Sequence, residues 1–457
     1  MVEIPRELTI GWLRRAYATG AAAPRQVVEE IVRRAEESAD YCVWVQPPSM
    51  ELVEPFLVTL SESGPTPETP LWGIPFAVKD NIDIAGVPTT AGCPAYAYTP
   101  QTSATVVERL VAAGAIPVGK ANLDQFATGL VGVRSPYGEC RNALNPDLIS
   151  GGSSSGSAVA VALGMAAFAL GTDTAGSGRV PAALNRLMGF KPPLGSWSTA
   201  GVVPACASLD CVTVFAHSVE DVRAVDAVAR GFDTACAYSR FYEETAQASC
   251  ELPDAICLPS EQPAFYGDFA HVYKDSWDAT VEALRVAAVE RGIVVRAMDC
   301  SYLNEAAAVL YDGPWVAERW ADLGSFVETH PGDVLPVTES ILRSGAREEL
   351  TAEVLFDAMH FLQECRHRAQ LDLADAVLVM PTCGGTFARA QVDQDPVGAN
   401  SQMGLYTNHC NLCDLAALAL PGVEAADSLP FGITAFSLAG DQRYLMGFAA
   451  ELATHLE

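Results

Sequence analysis

Short apolar runs alternate with segments of helical periodicity from Trp72 onward, and this alternation constrains the fold more than any other feature of the chain. One helical segment, Ser218–Arg230, begins with a serine and an aspartate at the spacing of an N-terminal capping pair, and Ser103–Ala113 is a second. Such alternation favours a layered α/β fold with a largely parallel or mixed sheet. The runs predicted as buried strands are Phe76–Val78, Ile116–Val118, Ala167–Leu170 and Val377–Met380.

The chain divides into a helical start and one long main domain. Residues 5–18 and 24–38 carry apolar side chains at helical spacing with charges between them, which predicts two surface helices in an N-terminal segment, 1–60. The Ser, Pro and Gly-rich stretch 61–70 is the best linker candidate. Residues 61–457 then form the main domain, within which the less patterned stretch 240–300 is expected to be a peripheral insertion.

The charge balance argues against polyanionic partners. The formal net charge is -28, from 56 acidic and 28 basic residues. A field of that sign repels phosphate backbones, so neither nucleic acid nor an anionic membrane is expected to bind. An anionic small-molecule substrate would need a local arginine.

Cysteine usage and hydropathy favour a soluble cytoplasmic protein. The thirteen cysteines are an odd number in a long chain that does not need disulfides, so we expect reduced thiols. Met1–Thr9 lacks the apolar stretch of a secretory signal. The longest uncharged run, Ala158–Thr172, is shorter than the roughly 18 to 20 apolar residues of a spanning helix.

The segment Ser150–Ser157, SGGSSSGS, admits three interpretations. Gly/Ser clusters are usually loops, but this one runs directly into the small-residue stretch AVAVALGMAA, which has the composition of a buried segment. Phosphate binding fits poorly, because no Lys-Ser/Thr pair follows the glycines. The third interpretation is a nucleophile: Gly152–Gly156 matches G-x-S-x-G, which would select Ser154 and would require a histidine base that no local sequence context singles out.

Three segments together resemble the amidase signature family. They are Gly73–Asp83 (GIPFAVKDNID), Ser150–Ala158 (SGGSSSGSA) and Gly171–Ala182 (GTDTAGSGRVPA), in the order and spacing of that family. The resemblance implies an α/β fold with a central mixed β-sheet covered by helices on both faces and an N-terminal helical segment. It also implies a serine amidohydrolase that needs no cofactor and no metal, and it points to a homodimer.

Carried over residue by residue, the resemblance makes Ser177 the nucleophile, Ser153 a bridging serine with a cis peptide, and Lys79 the general base. A serine hydroxyl needs a base to remove its proton. Lysine can serve only when uncharged, which near pH 7.5 means lowering its pKa by roughly three units through burial. The oxyanion hole is expected from the backbone N–H groups of Thr174, Ala175, Gly176 and Ser177. Without the resemblance, Lys79 would be interpreted as a surface lysine paired with Asp80.

A narrower resemblance is to the allophanate hydrolases of that family. It rests on Leu310–Trp320 (LYDGPWVAERW), Gly129–Gly138 (GLVGVRSPYG), Asn400–Ala417 (NSQMGLYTNHCNLCDLAA) and the form DTAGSGRVPAALN. It implies that Tyr311 and Arg319 contact the substrate, and a guanidinium is the natural bidentate partner of the allophanate carboxylate. The alternative is that Arg319 pairs with Glu318 or Asp322 on a helix face, outside the site.

Several alternatives stay open on the sequence. Another small carboxylated amide such as malonamate could be the substrate, and a non-catalytic scaffold with this fold is a different class. A tRNA-dependent amidotransferase fits the net charge poorly. Longer allophanate hydrolases carry a C-terminal domain that we expect to be absent from a chain stopping at Glu457. The run His409, Cys410, Cys413 is a weak metal motif and is interpreted instead as part of a core helix with Leu412 and Leu415–Leu420.

Overall fold

Eleven strands join into one mixed sheet in the computed structural model, which describes residues 3–243, 249–424, 426 and 429–456. The strands are β1 (Trp44–Gln46), β2 (Pro75–Lys79), β3 (Ile116–Ala121), β4 (Phe168–Asp173), β5 (Met188–Lys191), β6 (Cys211–Ala216), β7 (Ala255–Pro259), β8 (Val294–Met298), β9 (Ala376–Pro381), β10 (Leu415–Pro421) and β11 (Gly432–Leu438).

The sheet has two parallel ends and an antiparallel centre. The strand order is β1-β3-β2-β4-β6-β5-β10-β11-β9-β7-β8. Strand β2 pairs parallel with β3 and β4, and β7 pairs parallel with β8 and β9. The other pairs are antiparallel. The predicted mixed sheet is confirmed, and each of the four predicted strands lies within or overlaps an observed one.

Helices precede the sheet and cover it. They are α1 (Ile10–Ala18), α2 (Pro24–Glu37), α3 (Met50–Ser63), α4 (Thr105–Ala112), α5 (Ser155–Ala162), α6 (Val180–Leu184), α7 (Val219–Ala229), α8 (Ala270–Arg291), α9 (Ser301–Ala308), α10 (Val316–Thr329), α11 (Pro336–Arg343), α12 (Ala352–Asp372), α13 (Arg389–Gln394), α14 (Gly398–Met403), α15 (His409–Leu412) and α16 (Gln442–Glu451). The capping pair is confirmed, because the backbone N–H of Asp221 donates to Ser218 Oγ at 3.2 Å.

Alternating side chains of the strands feed cores on opposite faces of the sheet. In β9, Val377 and Val379 belong to the larger apolar cluster, whereas Leu378 and Met380 belong to a second one. The first cluster also includes apolar residues of α1 and α2, and the second includes residues of α9 and α12. Helices therefore cover both faces, as predicted.

Two local predictions from the sequence are wrong. The expected linker 61–70 begins late, because α3 continues through Ser63 before the chain turns at Gly64. The run Leu415–Leu420 is a strand at the centre of the sheet, not part of a core helix. A short, uniformly apolar run has no periodicity that separates the two, and burial on both faces decides for the strand.

The remaining domain assignments stay predictions. Within the stretch 240–300, β7 and β8 lie at one end of the sheet and α8 connects them. Among the described residues, no helix combines the length and apolarity that crossing a bilayer would require.

Candidate active site

Lys79 lies at the end of β2, where the parallel pairing of β2 with β4 brings it beside Thr172. The register places Val78 opposite Leu170, so the ends of the two strands meet at the same edge of the sheet. Lys79 Nζ donates to Thr172 Oγ1 at 2.7 Å and to Ser153 Oγ at 2.8 Å, and the side chain is fully buried. The surface-lysine alternative is wrong: Asp80 is buried and pairs with Lys120 at 3.3 Å.

The surroundings of Lys79 favour its uncharged form. Burial lowers the pKa of Lys79 to about 7 by removing the ammonium from water, while the carboxylates of Asp124, Asp210 and Asp173 act in the opposite direction. Desolvation outweighs the three negative charges. A lysine with this pKa has a substantial uncharged fraction near neutral pH and can accept a proton.

Ser153 and Ser154 lie in the turn that leads into α5. The peptide bond between Gly152 and Ser153 is cis. Ser154 Oγ accepts from the Thr172 N–H at 3.2 Å and donates to the Thr172 carbonyl at 3.1 Å. Both hydrogen bonds tie the turn to β4, so the Ser154 hydroxyl is committed to the backbone. This arrangement does not favour Ser154 as a nucleophile.

Ser177 lies in the loop between β4 and α6 and is 4% exposed. Its hydroxyl donates to the Gly129 carbonyl at 3.5 Å, a long contact. Within the described part of the chain, it forms no hydrogen bond with Ser153. The structure therefore brings Lys79 and Ser153 into contact and leaves the second link of the predicted relay unformed in this side-chain conformation.

A buried ion pair clamps the loop that carries Ser177. Arg179 Nε and Nη2 donate to the two oxygens of Asp173, each at 2.9 Å, and neither side chain is exposed. The predicted supporting pair is thus confirmed. Arg179 Nη1 also donates to the Thr407 carbonyl at 3.1 Å, and Asn411 Nδ2 donates to the Asp173 carbonyl at 2.8 Å. The loop is held by side chains from more than 200 residues further along the chain.

One of the four predicted oxyanion donors is already engaged. The Gly176 N–H donates to Asp173 Oδ1 at 2.8 Å. The N–H groups of Thr174, Ala175 and Ser177 have no hydrogen-bond partner among the described residues. Gly176 has φ 142°, and a Cβ there would lie 2.3 Å from Thr407 Oγ1, so glycine is required for space and backbone conformation.

Arg319 projects from α10 into the interior and is 1% exposed. Its Nη2 donates to the Tyr311 hydroxyl at 3.4 Å, and its Nη1 donates to Thr128 Oγ1 at 3.1 Å. The guanidinium carbon lies 5.3 Å from the centre of the Tyr311 ring. The structure thus brings the two predicted substrate residues together.

The alternative pairing of Arg319 on its own helix is not observed. Glu318 accepts instead from the Ser208 N–H at 2.8 Å and from the Ser208 hydroxyl at 2.6 Å. In the chain as described, Arg319 has no carboxylate within 4.0 Å. Its Nε is also buried without a hydrogen-bond partner among those residues. A buried cation without a close counter-ion is costly unless an anion binds there.

The sequence interpretation missed residues that contact the predicted ones. Thr172 holds Lys79, and Gly129 accepts from Ser177. Asp124 orders the loop after Gly129 by accepting from the N–H groups of Gly132 at 3.0 Å and Arg134 at 2.9 Å. Thr172 belongs to the same motif as Ser177 and alternates with Asp173 along β4, which is a signal that the two point to opposite faces. The contacts of Gly129 and Asp124 are tertiary and leave no such signal.

The weak metal motif lies in the core. His409 and Cys410 are buried in α15, and Cys413 is buried immediately after it. Burial lowers the pKa of His409 to about 3, with a further contribution from Arg179. Across residues 3–243, 249–424, 426 and 429–456, no three His, Cys, Asp or Glu side chains are grouped so that they could hold a metal ion.

The chain matches the amidase family over residues 27–446. It belongs to the amidase signature family. This amidase is 41% identical over 446 residues to the urea amidolyase of Saccharomyces cerevisiae, an alignment that covers 94% of this chain and 23% of the yeast protein. The structure of Kluyveromyces lactis allophanate hydrolase is similar with a TM-score of 0.89 at 37% identity, over 98% of this chain and 72% of that one.

The family likeness also extends to the amidotransferases. The chain is 32% identical over 476 residues to one component of the glutamyl-tRNA(Gln) amidotransferase of Deinococcus radiodurans, covering 97% of this amidase and 96% of that component. The chain thus spans nearly all of the amidotransferase component but less than a quarter of the yeast urea amidolyase.

Proposed function

We propose that this amidase hydrolyses allophanate, with Ser177 as nucleophile, Ser153 as proton relay and Lys79 as general base. The observation that carries the mechanism is the hydrogen bond from the fully buried Lys79 to Ser153 at 2.8 Å, together with a lysine pKa lowered to about 7 by burial. An uncharged amine at the end of a hydroxyl chain can remove the proton of a serine.

The proton moves in two steps of the same kind. Rotation of Ser177 about χ1 exchanges its long contact with Gly129 for a hydrogen bond to Ser153 Oγ. Ser177 then gives its proton to Ser153, which passes its own proton to Lys79 Nζ. A serine hydroxyl can donate and accept at once, as this relay requires.

Bond formation and cleavage follow from that transfer. Ser177 Oγ bonds to the terminal amide carbon of allophanate, and the oxygen of the tetrahedral intermediate is stabilised by the three unengaged N–H groups of Thr174, Ala175 and Ser177. The proton on Lys79 returns through Ser153 to the leaving nitrogen, and ammonia departs. Water then hydrolyses the acyl-enzyme by the reverse route, releasing N-carboxycarbamate, which decomposes to carbon dioxide and a second ammonia.

The substrate assignment rests on Arg319 and Tyr311. A buried guanidinium without a carboxylate partner in the described chain is a site for a small anion, and allophanate has one carboxylate on a urea-like amide. The positive charge is local in a protein of net charge -28, so the anion binds against the overall field. The names of the yeast relatives, urea amidolyase and allophanate hydrolase, support the same substrate.

A substrate panel tests this proposal. Ammonia release is measured with freshly prepared allophanate, with malonamate, which keeps the carboxylate, and with biuret, which lacks it. We expect the highest kcat/KM for allophanate and the lowest for biuret. A preference for malonamate would overturn the substrate assignment, and equal turnover of biuret would remove the carboxylate from the recognition scheme.

The rate should depend on pH through Lys79. The reactive form is the uncharged amine, and burial lowers the pKa of Lys79 to about 7. We expect kcat/KM to fall about tenfold per pH unit below that value and to level off above it, because kcat/KM reports the free enzyme. Initial rates from pH 5.5 to 9.5, corrected for spontaneous decomposition of allophanate, measure the profile. A rate that still climbs at pH 9.5 contradicts a desolvated lysine base.

Replacement of Arg319 should weaken substrate binding more than it slows the chemistry. Arg319→Gln removes the charged donors, and hydrogen bonds to charged groups contribute about 1.5–3 kcal/mol, so we expect KM for allophanate to rise roughly 10- to 100-fold. Arg319→Lys should give a smaller rise, because an ammonium cannot bind a carboxylate in the same bidentate way. Arg343→Gln is the control, since that arginine is exposed and pairs with Glu339. An unchanged KM for both Arg319 variants excludes this role.

We also propose a cytoplasmic homodimer. All thirteen cysteines are free thiols in the structure, which supports a reducing compartment. The apolar faces of α1 and α2 are buried in the core of the same chain, so they do not form the interface. The start of α12 exposes Val354, Leu355, Phe356 and Met359 and supports a contact there. Light scattering of the wild-type protein and of Phe356→Glu measures the oligomeric state.

A further inference from the structure

Thr128 is held by two buried guanidinium groups at once. Arg319 Nη1 donates to the Thr128 hydroxyl at 3.1 Å, and Arg134 Nη1 donates to the Thr128 carbonyl at 2.9 Å. All three side chains are at least 97% buried. Neither arginine forms an ion pair within the described residues, so both charges converge on the two oxygens of one threonine.

The Thr128 hydroxyl can only accept from Arg319. Its own hydrogen is directed to the Phe126 carbonyl at 3.2 Å. The lone pairs therefore face the guanidinium, which fixes one edge of Arg319, while the Tyr311 hydroxyl contacts the other terminal nitrogen at 3.4 Å. This pair of contacts leaves Arg319 Nε without a partner in the described chain.

The backbone of this loop is held in a conformation that its residues rarely adopt. Phe126 and Ala127 both have φ 51°, in the left-handed region that is uncommon for residues other than glycine. Two neighbouring residues of this kind persist only where surrounding contacts enforce them. Arg134 supplies such contacts, because it links the Thr128 carbonyl to the Pro396 carbonyl, at 2.9 and 2.5 Å.

The next residue reaches the nucleophile. Gly129 presents its carbonyl to Ser177 Oγ at 3.5 Å, and a Cβ on Gly129 would lie 2.5 Å from Asp124 Oδ2. The loop therefore has no room to shift on the side of Asp124. Any movement of Thr128 is transmitted directly to the Gly129 carbonyl beside Ser177.

We infer that Thr128 is a positioning residue that couples recognition of the substrate carboxylate to placement of the nucleophile. Its hydroxyl orients Arg319, and its carbonyl, anchored by Arg134, fixes Gly129 against Ser177. This inference deepens the proposed function and rests on it for the identity of the anion. It assigns separate tasks to the two oxygens of Thr128, which separate variants can test.

The first experiment compares Thr128→Val with Thr128→Ser. Valine has nearly the shape of threonine but no acceptor for Arg319, whereas serine keeps the hydroxyl. We expect Thr128→Val to raise KM for allophanate about tenfold with kcat changed less than threefold, since one hydrogen bond to a charged group is lost. Thr128→Ser should restore KM to within about threefold of the wild type. A merely structural role would lower the melting temperature and leave KM of the folded fraction unchanged, and that result overturns the inference.

A second experiment does not depend on turnover of allophanate. Ser177 is labelled with a fluorophosphonate, and the small dicarboxylate malonate is titrated as a protecting ligand. We expect Thr128→Val to weaken protection by malonate about tenfold, and to have no further effect in an Arg319→Gln background, because the two residues act through one contact. Arg134→Met should slow labelling itself, because Gly129 loses its anchor.

The two readouts separate the possible failures. If wild-type protein leaves allophanate intact but Thr128→Val still weakens malonate protection, the positioning role stands and the proposed substrate is wrong. If Thr128→Val protects like the wild type, the positioning role is wrong whatever the substrate. Should Thr128→Val fail to fold, Thr128→Ala in the same labelling assay decides by the same criterion.

Discussion

Replacement of Ser177 with alanine should abolish hydrolysis while leaving the fold intact. We expect kcat to fall by about 10⁴- to 10⁶-fold, the range observed when the nucleophile of a serine hydrolase is removed. The Ser177 hydroxyl makes one long contact of 3.5 Å, so its loss should change the free energy of unfolding by less than about 1 kcal/mol. Ammonia release and thermal unfolding of the same preparation measure both effects.

Ser154→Ala is the matched control for that experiment. Ser154 lies in the rival G-x-S-x-G motif, but both of its hydrogen bonds go to the backbone of Thr172. We expect this variant to lose stability by about 1–3 kcal/mol and to keep most of its activity, since the variant leaves buried backbone groups without partners. A dead Ser154→Ala beside an active Ser177→Ala would return the chain to the histidine-dependent mechanism. Intact-mass analysis after fluorophosphonate treatment should show one adduct, absent from Ser177→Ala.

Replacement of Lys79 with methionine should give a protein that is inactive and more stable. Methionine fills a similar volume without a proton acceptor, so we expect kcat to fall by at least about 10⁴-fold. The native protein keeps a lysine whose pKa is lowered from 10.5 to about 7, which below pH 7 costs on the order of 5 kcal/mol relative to the unfolded chain. After the lost hydrogen bonds to Ser153 and Thr172, a net stabilisation of about 1–3 kcal/mol should remain.

The gain in stability from Lys79→Met should depend on pH with a defined sign. Between about pH 7 and 10.5 the unfolded chain binds a proton at this lysine that the native state does not, so stability of the wild type rises with pH. The difference between the two proteins is largest below pH 7 and shrinks toward pH 10.5. Urea unfolding at pH 6.5, 8 and 9.5 measures it. A less stable Lys79→Met at every pH would mean that Lys79 is charged and well paired in the native state.

Much of the architecture was accessible from the sequence because local patterns carried it. Phe76–Val78 and Val377–Met380 are uniformly apolar and bounded by turns, and both are buried strands. The run Leu415–Leu420 has the same texture, yet its neighbours Leu412 and Cys413 suggested a helix. Only the pairing with β5 and β11 settles it, and pairing between distant strands is not written in a local pattern.

The site was predictable where residue type carries the chemistry and unpredictable where backbone geometry does. Lys79, Ser153 and Arg319 were named from motifs, and the structure places each in a polar contact with a buried neighbour. Gly129 acts through its carbonyl, which every residue has, so its identity gives no signal. The engagement of the Gly176 N–H by Asp173 likewise depends on how the loop turns back on itself.

The clamp on the nucleophile loop bears on how the protein matures during synthesis. Arg179 and Asp173 are held by Thr407 and Asn411, and β5, which follows that loop, pairs with β10. A polypeptide still emerging from the ribosome at residue 350 already contains the three residues of the relay but nothing that locks them. Contacts so distant along the chain form late. We expect the nascent enzyme to stay inert until translation has passed Asn411, so that reactive serine and lysine are never exposed in a half-built protein.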